Sequence, residues 1–511
     1  MILARFDDLR PGSERSFTIT EPVGVLEALK PGEVASTIEA AEAAAARGLW
    51  VAGFVAYEAA PGLDPALTVR DGGSDEDPPL AWFGMFERKD EVPPLREPGT
   101  APDSSNAWTP TTDRGRYERD VESIRGAIAS GETYQVNHTI RLRARIAGDE
   151  RGLYRDLCLA QRGGYGAYLN TGRHRVLSAS PELFFRIDGG RITTRPMKGT
   201  APRGRWLQED EAIAAHLVSS AKDRAENGMI VDLLRSDLGR IARPGSVAVE
   251  AMFTPERYET VWQLTSTISA ELEPGTSVLD TFRALFPSGS VTGAPKARTM
   301  RIIAELEGSP RNVYCGAIGY LAPLGSGEPR ANFSVAIRTV LLDAQTGAAE
   351  YGVGGGITHG SSAAGEYAEI LAKAKVLSAA RPAFELFETL RYEPGEGFVH
   401  LGEHLVRIGS SAAYFGFAFD HDAAVQAVEK AAADHGGGSA RIRLTLARDG
   451  TVGTEAQDLP GASSGSVRVA IDDEPVDPND VWLFHKTTNR AAYERRRSRH
   501  PEAEDVLLVN D

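Results

Sequence analysis

Four carboxylates and one lysine have the chemistry and the setting to do work. Glu366 and Glu369 stand three apart in GEYAEILAKAK, so a helix places both on one face. A solvated helix face accounts for such a pair on its own. The preceding GVGGGITHG favours more: a glycine-rich loop entering a helix would turn backbone N–H groups towards an anionic substrate. Carboxylates one turn into that helix could hold Mg²⁺, and the ion could bridge to a substrate carboxylate. Glu226, in AENGMIVDLLRSDLG, is either a helix-surface acid or, by convergence in space, a third ligand. Lys198 lies among proline and glycine in RPMKGTAPRG. Such a lysine is usually solvated, but beside carboxylates and out of water it would lose its proton and become a nucleophile. Glu182 in SASPELFF would be its proton-transfer partner, and Arg338 in ANFSVAIRTV could grip a carboxylate with both arms of its guanidinium.

The elements that must position these groups read as α+β. A helix is expected over 33–47, ending at Gly48, followed by aromatic and β-branched strands in LWVAGFVAYEAA and LAWFGMFE. Asp113 opens a helix with Tyr117, Val121, Ile124 and Ile128 on one face, and Gly131 closes it. Strands follow in YQVNHTIRLRARI, RVLSAS, LFFRI and RITTR, the last two joined by the Asp188-Gly189-Gly190 turn. One long helical stretch is expected over about 207–238 and a last helix over 363–380, with Arg381-Pro382 as a boundary. The expected parts are therefore 1–88, a Pro-rich connection at 89–112, a principal domain at 113–380 and a fresh start at 383–511.

Composition limits the alternatives. The 511 residues exceed one compact core. With 56 basic and 71 acidic residues, the net charge of −15 disfavours non-specific binding to nucleic acid or anionic membrane. Two distant cysteines, Cys158 and Cys315, exclude a disulfide scaffold or a cysteine-rich metal site. No apolar run approaches the ~20 residues of a membrane span and the first residues lack a signal peptide's apolar core, so a soluble, cytoplasmic chain is expected. GSVTGAPKAR and GVGGGI match neither a P-loop nor GxGxxG.

SPELF, PMKGTAPRG, AENGMIVDLLRSDLG, SGSVTGAPKARTM, AIRT and GVGGGITHGSSAAGEYAE occur in that order. Together they resemble the chorismate-utilising enzymes, a family that includes anthranilate, isochorismate, salicylate and aminodeoxychorismate synthases. The resemblance spans roughly 113–380, with a weaker part over 1–88. It implies packed antiparallel sheets with surrounding helices. Position 198 separates the branches: anthranilate synthases carry alanine there, whereas Met197-Lys198-Gly199-Thr200 follows the aminodeoxychorismate synthase component I pattern. The resemblance then implies that Lys198 attacks chorismate at C2 while the C4 hydroxyl leaves, and that ammonia adds at C4 and expels the lysine. Glu182 would be general acid and base. Glu226 and Glu369, with Glu366 adjacent, would hold Mg²⁺. Arg338, Tyr320, Lys373, Thr200 and the glycines Gly354, Gly355 and Gly356 would bind the substrate.

In VWQLTST, Gln263 replaces the histidine of many relatives, so that position can orient a hydroxyl but cannot titrate. Cys158 in DLCLAQRG lacks the setting of a glutaminase nucleophile and is expected in a helix core; ammonia would come from a separate glutaminase subunit. Anthranilate or isochorismate synthesis, and a binding subunit without turnover, remain the competing readings.

FELFETLR, GEHLVRI and HKTTNRAAYERRR resemble class IV PLP aminotransferases, including aminodeoxychorismate lyase. That resemblance makes Lys486 the cofactor lysine and Arg407 the cofactor-phosphate arginine. The family's acid for the pyridine nitrogen and its second phosphate loop would fall beyond Asp511. The expectation is an incomplete lyase-like domain that binds PLP only if completed; PLP-dependent lyase activity through this domain is a further competing reading.

Overall fold

The computed structural model describes all residues except 1, 71, 73–75, 97–107, 378–382, 437, 460–465 and 511. The chain divides into two compact units, Met1–Ala201 with Leu217–Arg381, and Pro202–His216 with Pro382–Asp511.

The first unit is built on an 18-stranded sheet. Fifteen of its strands follow one another in an unbroken antiparallel ladder, running in residue numbers 135–145, 348–357, 339–343, 174–180, 165–170, 3–8, 15–28, 81–92, 50–55, 317–321, 331–335, 183–188, 191–195, 261–271 and 248–257. Residues 3–92 thus contribute strands to the middle of the same ladder as residues 135–357. Asp113 caps the helix Arg114–Ala129 by accepting from Arg116 N–H, and this helix buries Tyr117, Val121 and Ile124. Gly131 (φ +79°) ends the expected pattern. Gly189 and Gly190, at φ +56° and +87°, turn the hairpin between Leu183–Asp188 and Arg191–Arg195. Phe184, Phe185, Phe282, Phe286 and Phe333 form a ring cluster with centroids 5.1–6.1 Å apart, each Phe burial contributing about 1.5–3 kcal/mol.

The strand Gln135–Arg145 is buried for its first eight residues, polar ones included. Its Arg141 is satisfied inside by Glu307, which also binds Arg311 at 2.6 Å. Burial alone would push the Glu307 carboxyl up, but the two guanidiniums hold it down at about 2. This charged knot anchors the strand that backs the cleft described below.

Several expectations change. The stretch 207–238 is two helices, Leu207–Ser219 and Ala221–Gly239, because Ser220 leaves the helical conformation and caps the second through Asp223 N–H. Residues 202–216, expected inside the 113–380 domain, belong to the second unit. The last helix runs Ala363–Ala374, followed by a 3₁₀ turn to Leu377; its expected end at 378–380 and the Arg381-Pro382 boundary lie outside the described residues. Within 89–112, the strand Ala81–Val92 continues to Val92 and Thr109–Pro110 pairs with Arg143 and Leu142. Residues 97–107 lie outside the described residues. No helix among the described residues is long and apolar enough to cross a membrane.

The second unit has a four-stranded antiparallel sheet, including Leu386–Glu393, Ala440–Leu446 and Val452–Asp458, with helices Leu401–Phe415 and His421–Asp434. Leu386, Leu390, Leu405, Ile408, Val428, Ile442 and Leu444 form its core, and Leu207 packs against them.

Candidate active site

The first unit contains a cleft of about 200 Å³ lined by Glu182, Lys198, Thr200, Glu226, Gln263, Arg338, Glu366, Glu369, Lys373 and the glycines Gly354 to Gly356. The sequence scatters these groups over almost two hundred positions, and the sheet gathers them.

The glycines sit in a strand rather than a loop. Ala348–Ile357 pairs with Gln135–Arg145 in a register that sets Gly354 opposite Thr139 and Gly356 opposite Asn137. Its other neighbour, Thr339–Asp343, pairs only as far as Tyr351. From Gly352 onward that second edge carries no strand among the described residues. The Gly354 carbonyl on this edge accepts from Lys373 Nζ at 2.9 Å. In an antiparallel strand a residue's N–H and C=O share an edge, so the Gly354 and Gly356 N–H groups also point into the cleft. The donors expected at a helix N-terminus are therefore supplied by an open sheet edge.

Glycine is required for a second reason. A Cβ on Gly355 would lie 3.1 Å from a Glu366 oxygen, and one on Gly356 would lie 2.9 Å from Lys198 Nζ and 2.2 Å from Gln135 Nε2. We expect Gly356→Ala to lower kcat/KM for the substrate by about a hundredfold while circular dichroism stays native, because displacement of reacting groups by about 1 Å has that effect. Steady-state kinetics on the folded variant check this.

Lys198 lies on the strand Met197–Pro202. Burial lowers its pKa, while the charges of Glu226, Glu182 and Glu369 pull the other way and Lys373 reinforces the lowering. Glu182 follows the strand His174–Ser180 and is 3% exposed. Burial raises its pKa to about 7, against the stabilising influence of Ser290, Lys198 and the Met197 backbone. An amine and a carboxyl thus sit together with their proton affinities moved towards each other.

Asn227, 1% exposed on the helix Ala221–Gly239, fixes the Lys198 backbone. Its amide donates to the carbonyls of Lys198 and Leu264, each at 3.2 Å, and its oxygen accepts from Ser266 Oγ at 2.6 Å. Asn227→Ala would leave three buried polar groups without this partner. A loss of about 2–3 kcal/mol is expected, read as a lower Tm in calorimetry.

Glu226, on the same helix, has its pKa raised chiefly by burial, with Asp223 and Glu366 adding to the rise against Lys198 and Lys222. Glu366 is raised by burial and by Glu369. Glu369 lies at the mouth of the cleft; its partial desolvation would raise it too, but Lys373 at 2.7 Å and Lys198 bring it below the usual range. No group of three or more such side chains converges into a metal cage among the described residues. Mg²⁺ needs only one or two carboxylates and keeps its waters. Glu226 and Glu366, both held above the usual carboxylate range, and Glu369 beside them supply oxygen donors that fit that hard cation.

One expected substrate contact, Tyr320, sits differently from the expectation. Tyr320 is outside this cleft. Its strand, Ala317–Leu321, turns the ring into a cluster with Phe6, Phe17 and Trp50 at 5.1, 5.4 and 6.4 Å, beside a separate cavity of about 570 Å³. Arg338 does line the cleft, at a left-handed φ of +54°, and donates to the Lys373 carbonyl at 2.8 Å. Cys158 is buried in the helix Glu150–Gln161, as expected, and burial pushes its thiol well up.

Gln135 is a residue that the sequence did not single out. It is 1% exposed, neither amide atom has a hydrogen-bond partner among the described residues, and it flanks the same point beside Gly356 as the Lys198 amine. The strand pattern of YQVNHT marks it as buried or exposed by alternation alone, with no sign that a glycine of a neighbouring strand leaves it room.

In the second unit, Glu388 is fully buried and gathers two cations and a histidine. Arg407 binds it at 2.5 and 2.6 Å, His404 at 2.8 Å and Lys486 at 3.2 Å. The expected cofactor lysine and phosphate arginine are therefore brought to one place. An amine and a guanidinium sharing one carboxylate fit one side of a PLP pocket.

An open-edged antiparallel sheet whose cleft pairs a desolvated amine with an acid and a row of carboxylates matches one class of fold in particular. The solved anthranilate synthase component I of Streptococcus pneumoniae superposes with a TM-score of 0.62 at 25% identity, over 72% of this chain and 93% of that one. Residues 11–379 match the chorismate binding enzyme family, and the chain belongs to it. Residues 385–511 match class IV amino-transferases. Among curated relatives, aminodeoxychorismate synthase component 1 of Salmonella typhimurium is 43% identical over 269 residues, 53% of this chain and 58% of that protein. Aminodeoxychorismate synthase of Streptomyces griseus is 43% identical over 302 residues, 58% and 41% of the two. Anthranilate synthase component 1 of Aquifex aeolicus is 37% identical over 297 residues, 57% and 59%. The matched stretch thus spans about half the length of these relatives.

Proposed function

We propose that the first unit aminates chorismate to 4-amino-4-deoxychorismate, the step towards 4-aminobenzoate and folate, with ammonia delivered by a separate glutaminase subunit. The observation that carries this reading is the half-buried Lys198 and the buried Glu182 lining one cleft with the carboxylates Glu226, Glu366 and Glu369. The 43% identity to aminodeoxychorismate synthases supports it, and the designation of several relatives as component 1 supports a partner component.

In the reaction, the uncharged Lys198 amine forms a bond to C2 of chorismate. The ring double bonds shift, and the C4 hydroxyl leaves as water with a proton from Glu182. Ammonia then bonds to C4, the electrons return, and the C2–N bond to Lys198 breaks; the lysine leaves as the free amine. Glu182 takes back the proton that the incoming ammonia releases. Desolvation suits both partners, because it frees the amine and keeps the carboxyl protonated near neutral pH. The open edge at Gly354 and Gly356, with Arg338, would orient the substrate carboxylates, and Gln263 would orient the departing hydroxyl. Glu226 and Glu369, with Glu366, would hold Mg²⁺, which supplies positive charge against a substrate carboxylate. Lys486 and Arg407 would hold PLP in the second unit; when bound, that cofactor supplies an electron sink.

Incubation with chorismate, Mg²⁺ and ammonium, followed by chromatographic identification of the product, tests the reading. Aminodeoxychorismate is expected. Anthranilate or isochorismate would overturn the branch assignment, and absence of any product would leave a binding subunit.

A further inference from the structure

The chain passes between the two units at 201/202, returns at 216/217 and passes again at 381/382. Residues 202–216 therefore fold with the C-terminal unit, although Lys198 stands just before them and Glu226 just after. The strand Met197–Pro202, which carries Lys198, runs directly into this segment.

The C-terminal residues grip the segment by its main chain. Tyr414 Oη donates to the Gly204 carbonyl at 2.6 Å. His485 Nε2 donates to the Arg205 carbonyl at 3.0 Å, and its Nδ1 lies 3.0 Å from Ser411 Oγ, which fixes the ring. That ring stacks on Tyr414 with centroids 4.5 Å apart. The Arg203 guanidinium, 8% exposed, pairs with buried Asp210 at 2.8 Å, lies 4.4 Å from the Tyr414 ring centre and donates to the Tyr414 carbonyl at 2.9 Å. Gly204 closes the turn: a Cβ there would lie 2.4 Å from Asp210 N. Trp206 packs on Phe484 at 5.3 Å. Backbone carbonyls bound by buried side chains define where a segment runs, whereas apolar packing alone tolerates sliding.

We propose that the C-terminal unit is a clasp for residues 202–216, and that Tyr414 and His485 are positioning residues for Lys198 and Glu226. This role rests on the amination reading for the meaning of those two side chains. It requires nothing of PLP. A class IV amino-transferase fold would here serve the neighbouring chemistry as a scaffold, by holding the piece of chain that joins the nucleophile's strand to the helix bearing Glu226.

The test uses the full chain with Tyr414→Phe, which removes one hydroxyl and keeps the ring, and with Tyr414→Phe combined with His485→Ala. Amide hydrogen exchange over 203–210 is expected to accelerate about fivefold in the single variant and further in the double, with the strand Gln135–Arg145 unchanged. Alongside this, kcat for amination is expected to fall about fivefold or more. Faster exchange with unchanged kcat and KM would overturn the proposal, as would unchanged exchange. If the parent chain does not aminate chorismate, affinity is read instead by tryptophan fluorescence during chorismate titration. Weaker binding in the double variant then supports the clasp while the amination reading falls; equal binding overturns the clasp.

Discussion

Lys198→Ala is expected to abolish amination of chorismate, with turnover down by at least about a thousandfold, while Tm and circular dichroism stay native. Removing a covalent nucleophile forces the reaction through a single direct displacement, which the remaining groups are not placed to assist. The fold should tolerate the change. Among the described residues Lys198 makes no direct ion pair that holds two elements together, and its backbone remains bolted by Asn227. Quantifying product by chromatography in parallel with thermal unfolding separates the two effects. Unchanged product at an unchanged rate would refute the nucleophile assignment.

Glu182→Gln is expected to lower kcat by about 10²–10⁴, the usual worth of a positioned proton donor. The amide keeps the shape and can accept a hydrogen bond but cannot deliver a proton to the departing hydroxyl. The pH profile gives the sharper reading. Burial holds Glu182 at about 7, so the protonated, competent form is lost as pH rises through neutrality. Lys198 works in the opposite sense: its pKa is lowered, and the free amine accumulates as pH rises. A bell-shaped kcat/KM is expected for the parent, and Glu182→Gln should lose the alkaline limb near pH 7. Stability follows the same group. Its folded pKa lies above the ordinary 4.5, so the protein gains from protonation below that value and loses this stabilisation as pH rises from about 4.5 to 7. Glu182→Gln should flatten that decline in a pH series of Tm values; an unchanged slope contradicts the burial of this carboxyl as its cause.

Much of the site was legible because its residues lie in short motifs with unusual local chemistry. Lys198 among proline and glycine, Glu182 after a strand, and Glu366 with Glu369 one helical turn apart all reached the cleft. What could not be read depends on long-range pairing. Whether GVGGGI is a loop or a strand is set by its register with residues 135–145, more than two hundred positions away, and glycine carries no β signal of its own. Tyr320 followed the alternation of its strand into an aromatic cluster, a choice of face that a one-residue shift would reverse. Gln135 becomes conspicuous only once the fold sets its side chain beside Gly356. The reassignment of 202–216 was hidden because the motif PMKGTAPRG is continuous in sequence yet divided between two folding units.

The most direct test of the account is to find the lysine bond itself. Wild-type chain mixed with chorismate and Mg²⁺ in the absence of ammonia, quenched in acid and digested, should yield a peptide bearing Lys198 with the added substrate skeleton less one water, and ammonium added before the quench should remove it. A modification on any other residue, or none under conditions where the substrate is being consumed, contradicts the account.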